Sequence, residues 1–152
     1  MAHRTPVAAV SALFVVLAAA PVDTCECGTP PPLSRAARTE TPFVFEGKAV
    51  ETVERSIQTT RLTSAGGTNS MEIERDVVFE VKRAWNGVTK KRLVLAADLS
   101  SCMFGFDVDK TYVVFAWKNA KGALTTHQCS RTIESSKAAD LLAHLGPGTV
   151  LK

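Results

Sequence analysis

The central part of the chain alternates apolar and polar residues with the period of a β-strand. The clearest stretch runs from Met71 to Trp85. Its predicted inward face carries Met71, Ile73, Val77, Phe79, Val81 and Trp85, and its outward face carries Glu72, Glu74, Asp76, Glu80 and Lys82. Arg75 and Arg83 interrupt the apolar face. Helical spacing would place the acidic residues in the core, so the pattern predicts a strand.

Weaker strand patterns flank this stretch. They cover Phe43 to Glu54 with a bulge expected at Gly47, Ser56 to Leu62, Lys91 to Ala97 and Ala123 to Thr126. Turns are predicted at Ala65-Gly66-Gly67-Thr68 and Asn119-Ala120-Lys121-Gly122. Asn86-Gly87 predicts a two-residue hairpin, because both residues tolerate positive φ. Tyr112 to Trp117 is apolar on both faces, which is typical of a central strand.

Two short helices complete the pattern. One is predicted over Leu33 to Thr41, before Pro42. The other begins at a Ser135 N-cap, places Ala138, Leu141, Leu142 and Leu145 on one face, and ends at Gly146-Pro147. Five or six strands in a meander with flanking helices predict a mainly β fold, a small barrel of the OB type. We expect its core to contain Phe79, Val81 and Trp85, together with Tyr112 or Val113 and with Phe115.

The first 24 residues have the pattern of a secretory signal peptide. Arg4 precedes an apolar run, Val7 to Ala20, whose roughly 21 Å helical length falls short of the ~30 Å hydrocarbon core of a membrane. Cleavage is expected between residues 20 and 24. A cut after Ala20 would leave Pro21 at the N-terminus, and a cut after Thr24 would leave Cys25. Residues 25–152 then form one secreted or periplasmic domain without a transmembrane segment.

The four cysteines, Cys25, Cys27, Cys102 and Cys129, all follow the apolar run. An even number of cysteines in an exported chain predicts two disulfides. A metal site is the alternative, but Cys25-x-Cys27 is too closely spaced for a zinc knuckle, and His127 and His144 are isolated. The sequence therefore predicts no cofactor.

Neither charge nor motifs indicate catalysis or nucleic-acid binding. The formal net charge is +3, which is too small and too diffuse to imply a nucleic-acid partner. Trp85, Tyr112, Phe115 and Trp117 lie in apolar strand patterns, which favours core packing over base stacking. The chain lacks a phosphate-binding loop, a nucleophile elbow and an H-E-x-x-H motif. We therefore expect a binding protein and no enzyme.

The order of these features resembles the netrin-like domain, in particular the N-terminal inhibitory domain of tissue inhibitors of metalloproteinases. The resemblance is carried by short segments in a common order: Cys25-Glu26-Cys27, Phe43 to Gly47, Val77 to Gly87, Ser101-Cys102, Tyr112 to Ala116 and Leu124 to Cys129. It implies a five-stranded OB barrel and the pairings Cys25–Cys102 and Cys27–Cys129. The chain lacks the third disulfide of that domain and the cysteine-rich C-terminal domain.

The resemblance also implies roles at the mature N-terminus. The amino group and carbonyl oxygen of Cys25 would chelate the catalytic zinc of a target protease, and the Glu26 side chain would enter its specificity pocket. A carboxylate is costly in an apolar pocket unless a cation meets it. Two functions follow: a secreted inhibitor of zinc metalloproteases, or a secreted netrin-like module that binds another extracellular or envelope protein.

Overall fold

The chain folds into a mainly β domain. A computed structural model describes residues 25–29, 41–63, 66–96 and 102–152. The strands are β1 Phe43–Thr63, β2 Gly66–Asn86, β3 Arg92–Leu95, β4 Thr111–Lys118, β5 Leu124–Thr125, β6 Ile133–Glu134 and β7 Thr149–Val150. A short 3-10 helix, Ser135–Lys137, precedes the helix α1, Ala139–Leu145.

Five of the strands form a nearly closed barrel. Their order is β3-β2-β1-β4-β5, while β6 pairs with β4 and β7 with β2. The backbone N–H of Ala96, next to the end of β3, donates to the carbonyl of Leu124 in β5 at 2.7 Å. This bond joins the two outer strands of the row, and it confirms the predicted barrel of the OB type.

The first two strands are longer than the barrel needs. They pair from Val44↔Asn86 to Thr63↔Gly66, so the two strands predicted before residue 63 are one. The pairing of β1 with β4 stops at Lys48↔Thr111. Beyond it, and beyond the pairing of β2 with β3, residues 53–63 and 66–76 form a two-stranded ribbon, which we call the arm. Gly66 to Thr68, predicted as a turn, belong to β2, and residues 64 and 65 lie outside the described residues.

A register shift is present beside Gly47 as expected, but its extra residue lies in β2 and not in β1. Glu46 faces Arg83 and Gly47 faces Val81, so Lys82 of β2 has no partner position in β1. A Cβ at Gly47 would lie 3.0 Å from the carbonyl oxygen of Glu80. The backbone of β2 therefore leaves little room for a side chain at this position of β1.

The barrel interior is filled by apolar side chains from β1 to β4. The buried set is Phe45, Ala49, Val77, Phe79, Val81, Ala84, Leu95, Tyr112, Val114 and Ala116. Phe79 is completely buried, and its ring meets those of Phe45 and Tyr112 edge to face at 5.6 and 6.4 Å between centroids. The predicted inward positions of Phe79, Val81 and Tyr112 are confirmed.

Trp85 and Phe115 do not share the face of Phe79, so those two parts of the prediction are wrong. Trp85 packs instead on a second cluster outside the barrel, which contains Val113 and Phe115 from β4 and Leu141 and Leu145 from α1. One register shift, at Lys82 between Val81 and Arg83, exchanges the faces of β2, so that Ala84 rather than Trp85 points inward. The indole N–H of Trp85 donates to the carbonyl of Gly146 at 2.9 Å.

Met71 and Ile73 were predicted on the buried face but are 65% and 57% exposed. They alternate correctly with their neighbours, and Val77 on the same face is buried. The difference is their place in the fold, because both lie in the arm. Among the described residues, no third strand pairs there and no second layer covers it. The two-residue alternation of apolar and polar side chains is the same in the barrel part of a strand and in its continuation into solvent, so it cannot distinguish the two.

The predicted two-residue hairpin at Asn86-Gly87 is also wrong. Strand β3 pairs with Val77 to Glu80, and the N–H of Val81 donates to the carbonyl of Lys91. The connection is therefore long, and the last residues of β2 pair with β1 and β7 instead. The positive φ predicted at Gly87 is present, at 66°.

The C-terminal helix ends as predicted and begins differently. Gly146 follows α1 with a φ of 76°, and Ala138, Leu141 and Leu145 are buried. Ser135 is not its N-cap: it starts the 3-10 helix, and Ala138 caps α1 without a side-chain hydrogen bond. The helix predicted over Leu33 to Thr41 lies, except for Thr41, outside the described residues, as does the predicted signal peptide. In the described ranges no helix has the length and apolar character to span a membrane.

Candidate functional site

The described N-terminal segment, residues 25–29, has no regular secondary structure and is tied to the domain by two disulfides. Cys25 is bonded to Cys102 and Cys27 to Cys129, with Cα atoms 5.1 Å apart in each bridge. This is the pairing that the resemblance implies. The bridges connect positions 77 and 102 residues apart in the chain. Two residues of the segment are thus fixed with one residue, Glu26, between them.

The partner cysteines lie on two chain segments that bond to each other. The backbone N–H of Gln128 donates to the carbonyl of Cys102 at 2.8 Å, and its side-chain amide donates to the carbonyl of Met103 at 3.0 Å. Met103 also forms an isolated antiparallel bridge with His127. We call these residues, 102–103 and 127–129, the anchor patch. Because its halves are joined, both disulfides hold the segment against one surface.

His127 organises the second half of the anchor patch. Its Nδ1 accepts the backbone N–H of Cys129 at 3.0 Å, which requires the Nδ1 lone pair to be free of a proton. Its ring meets that of Trp117 at 4.6 Å between centroids. The sequence left His127 and Trp117 unconnected, since Trp117 belongs to β4 and His127 lies in the loop after β5. The contact fixes the turn that carries Cys129.

The fixed segment exposes its middle residue. Cys25 is half-buried, whereas Glu26 and Cys27 are exposed. The carboxylate at position 26 therefore projects next to a cysteine whose backbone is fixed by its own bridge.

The sulfur atoms of Cys25, Cys27 and Cys129 lie within 4.8 Å of one another. In the described part of the chain they form the one cluster of three metal-ligating side chains. All three are bonded in disulfides, and a metal requires the thiolate form of cysteine. The arrangement is therefore a pair of neighbouring disulfides rather than a centre for a resident metal.

A groove of about 340 Å³ adjoins the anchor patch at one end of the barrel. Its apolar walls come from Val77, Leu95, Phe104 and Phe106, and Met103 links it to the anchor patch. The rings of Phe104 and Phe106 pack against each other at 4.8 Å and against Tyr112 at 6.0 and 5.0 Å. In the sequence, the sign of this wall is that Phe104 and Phe106 follow Cys102 at intervals of two residues, which places both rings on one side of an extended segment.

Ion pairs stiffen the base of the arm beside the groove. Arg55 lies 2.8 Å from a carboxylate oxygen of Asp76 and 3.4 Å from one of Glu74. The hydrogen bond and the attraction from Asp76 raise the pKa of the Arg55 guanidinium. On the opposite face, Arg75 pairs with Glu54 at 2.9 Å, and both line the groove. The carboxylate of Glu74, which lies on the predicted outward face of β2, is therefore mostly covered and paired with Arg55.

A similar pair holds the loop before β4. Lys110 lies 2.7 Å from Asp107 and 3.7 Å from Glu134. The hydrogen bond to Asp107 is the main reason that the pKa of Lys110 is raised. The backbone N–H of Asp107 donates to the Tyr112 hydroxyl at 2.9 Å, so the polar end of this core residue is satisfied.

No model of a known protein family and no curated protein matches this chain. Two disulfides are compatible with an extracellular or periplasmic chain, because disulfides persist in oxidising compartments.

Proposed function

We propose that the chain is an exported netrin-like protein that inhibits zinc metalloproteases through its N-terminal cysteine. One observation carries the proposal. Cys25 and Cys27 are fixed by neighbouring disulfides, and Glu26 between them is exposed. A segment anchored in this way offers backbone atoms and one side chain to a concave partner in a single conformation.

The proposed chemistry requires cleavage after Thr24, which makes Cys25 the first residue. An α-amino group has an ordinary pKa of about 8, so a useful fraction is neutral near pH 7. A neutral amine and the Cys25 carbonyl oxygen provide two ligands for a zinc ion that keeps an open position. The zinc belongs to the protease, and the inhibitor brings none of its own.

The disulfides favour this mode of binding for an entropic reason. Ordering a flexible segment at an interface costs about 0.5–1.5 kcal/mol for each immobilised side chain, in addition to backbone entropy. In this protein the segment is already fixed to the anchor patch by both bridges. Binding to zinc is therefore opposed by a smaller loss of conformational entropy than it would be for a flexible segment.

The test compares two forms of the secreted protein, the natural one and one extended by an Ala before Cys25. Mass spectrometry of the intact natural form first identifies its N-terminal residue. Both forms are then titrated against a panel of zinc proteases, and thermal unfolding checks that the domain is intact. We expect the natural form to inhibit and the extended form to be inactive with an unchanged Tm. A natural N-terminus at Pro21, or equal inhibition by both forms, would exclude the inhibitor.

A second function, protein binding without inhibition, is favoured by the arm. Met71 and Ile73 are large apolar residues exposed on the arm face that continues from buried Val77. Such residues beside a groove are typical of a protein contact surface. For this function, Ile73→Lys would abolish retention of a partner by the immobilised protein, whereas the Ala extension would leave retention unchanged. If instead Ile73→Lys leaves retention of a partner unchanged and the Ala extension abolishes it, the result supports the inhibitor.

A further inference from the structure

A second concave site, which we call the lysine pocket, lies at the other end of the barrel. Its volume is about 250 Å³. Strand β1 contributes Phe43 to the lysine pocket, whereas it contributes Thr52 to the groove beside the anchor patch. In the same way, β3 contributes Leu93 to the lysine pocket and Leu95 to the groove. The lysine pocket is therefore separate from the proposed inhibitory segment, and its role does not depend on that function.

The walls of the lysine pocket are apolar and pack against the barrel core. They comprise Phe43, Val88, Leu93 and Leu124, each half-buried and packed against the barrel core. Gly87 completes one side, where a Cβ would collide with the carbonyl of Pro42. These walls belong to strands and to a tight turn, so the pocket is formed before any ligand arrives.

The rim of the lysine pocket carries positive charge. Lys90 and Lys118 both line it and both are exposed. The Lys118 Nζ lies 5.9 Å from the centre of the Phe43 ring, which holds the ammonium over the apolar wall. Among the described residues, no carboxylate lines the pocket, and neither lysine has an ion pair. The site thus combines an apolar interior with two uncompensated cations at its entrance.

We propose that the lysine pocket binds a medium-chain carboxylate, with the chain inside and the anion between Lys90 and Lys118. At about 250 Å³, the pocket lies just below the ~300–1,000 Å³ range of drug-sized ligand sites, which favours a small ligand. An eight-carbon chain is therefore the probe chosen for the test. A free carboxylate complements the lysines, whereas an alcohol of equal length would fill the pocket without meeting either charge.

The experiment is a titration of the full secreted protein with sodium octanoate, followed by calorimetry and by amide NMR shifts. We expect shifts concentrated at Val88, Leu93 and Leu124, and weaker binding of octan-1-ol. Lys118→Met and Lys90→Met should each lower octanoate affinity about two- to fivefold, as expected for exposed ion pairs. The matched control is Lys137→Met, an exposed lysine on the 3-10 helix, which should leave affinity unchanged. Higher salt should weaken octanoate binding and leave octan-1-ol unaffected.

Several outcomes would overturn this assignment. They are shifts that map to the groove beside the anchor patch, equal binding of octan-1-ol and octanoate, and equal affinities for the Lys118→Met and Lys137→Met proteins. Binding to vesicles of anionic lipid without binding of free octanoate would also overturn it, because the source of the anion would then be a membrane surface. The double variant Lys90→Glu/Lys118→Glu provides a second check, since reversing both rim charges should make the pocket reject octanoate and accept octylammonium.

Discussion

The Sγ atom of Cys25 lies 3.4 Å from the Sγ atom of Cys129, although each is bonded to a different cysteine. The two disulfides are therefore in contact, and they anchor neighbouring residues of one short segment. This contact makes the segment rigid. It also means that a third pairing, Cys25 with Cys129, is close in space and must be distinguished by experiment.

The first prediction concerns this pairing. Proteolysis of the oxidised protein without reductant should release peptides that join Cys25 to Cys102 and Cys27 to Cys129. Peptides that join Cys25 to Cys129, or free thiols, would contradict the structure. In the chain-entropy model each bridge contributes about 4–5 kcal/mol to the free energy of unfolding, because the closed loops are long. The double variant Cys27→Ser/Cys129→Ser should accordingly unfold at a much lower denaturant concentration.

The second prediction concerns the barrel core. Phe79→Ala should lower the free energy of unfolding by about 3–5 kcal/mol, because it removes a fully buried ring that contacts Phe45, Phe106 and Tyr112. Glu80→Ala, one position along the same strand, should cost well under about 1 kcal/mol, since that side chain is exposed. Urea unfolding of both variants measures the difference. Similar losses at the two positions would show that the inward face of β2 is wrongly assigned.

The sequence predicted the barrel more accurately than the arm and the turns, and the reasons are physical. Alternation placed Phe79 and Val81 correctly because residues inside a barrel must be apolar. It failed at Trp85 because each bulge adds a residue, which exchanges the two faces of a strand. It failed at Ile73 because the strand continues past the barrel. The site residues Cys25 and Glu26 came from the resemblance, whereas the contact of His127 with Trp117 required the fold.

The third prediction tests the close approach at Gly87. Its φ is 66°, and a Cβ there would collide with the carbonyl oxygen of Pro42. Gly122 has a similar φ of 78° but open space around its Cα, so it is the matched control. Gly122→Ala should cost about 1–2 kcal/mol for the left-handed conformation alone. Gly87→Ala should cost about 1–3 kcal/mol more, because the backbone must also move away from Pro42. Equal Tm changes in the two variants would disprove the contact.

The fourth prediction concerns the side chain that would decide the choice of protease. Glu26 is exposed between two fixed cysteines, so its substitution should leave the Tm unchanged. A buried carboxylate without a partner costs several kcal/mol, and we therefore expect the natural protein to prefer proteases whose specificity pocket contains a cation.

Glu26→Leu should shift inhibition toward zinc proteases with apolar pockets, whereas Glu26→Gly should weaken inhibition of every protease, because it removes the side-chain contact and retains the zinc ligands. Inhibition constants for the three proteins against the same panel measure this change. If Glu26→Leu keeps the ranking of the natural protein, the side chain does not enter the pocket. If Glu26→Gly inhibits as well as the natural protein, the segment contributes through its backbone alone, and the specificity assigned to Glu26 is wrong.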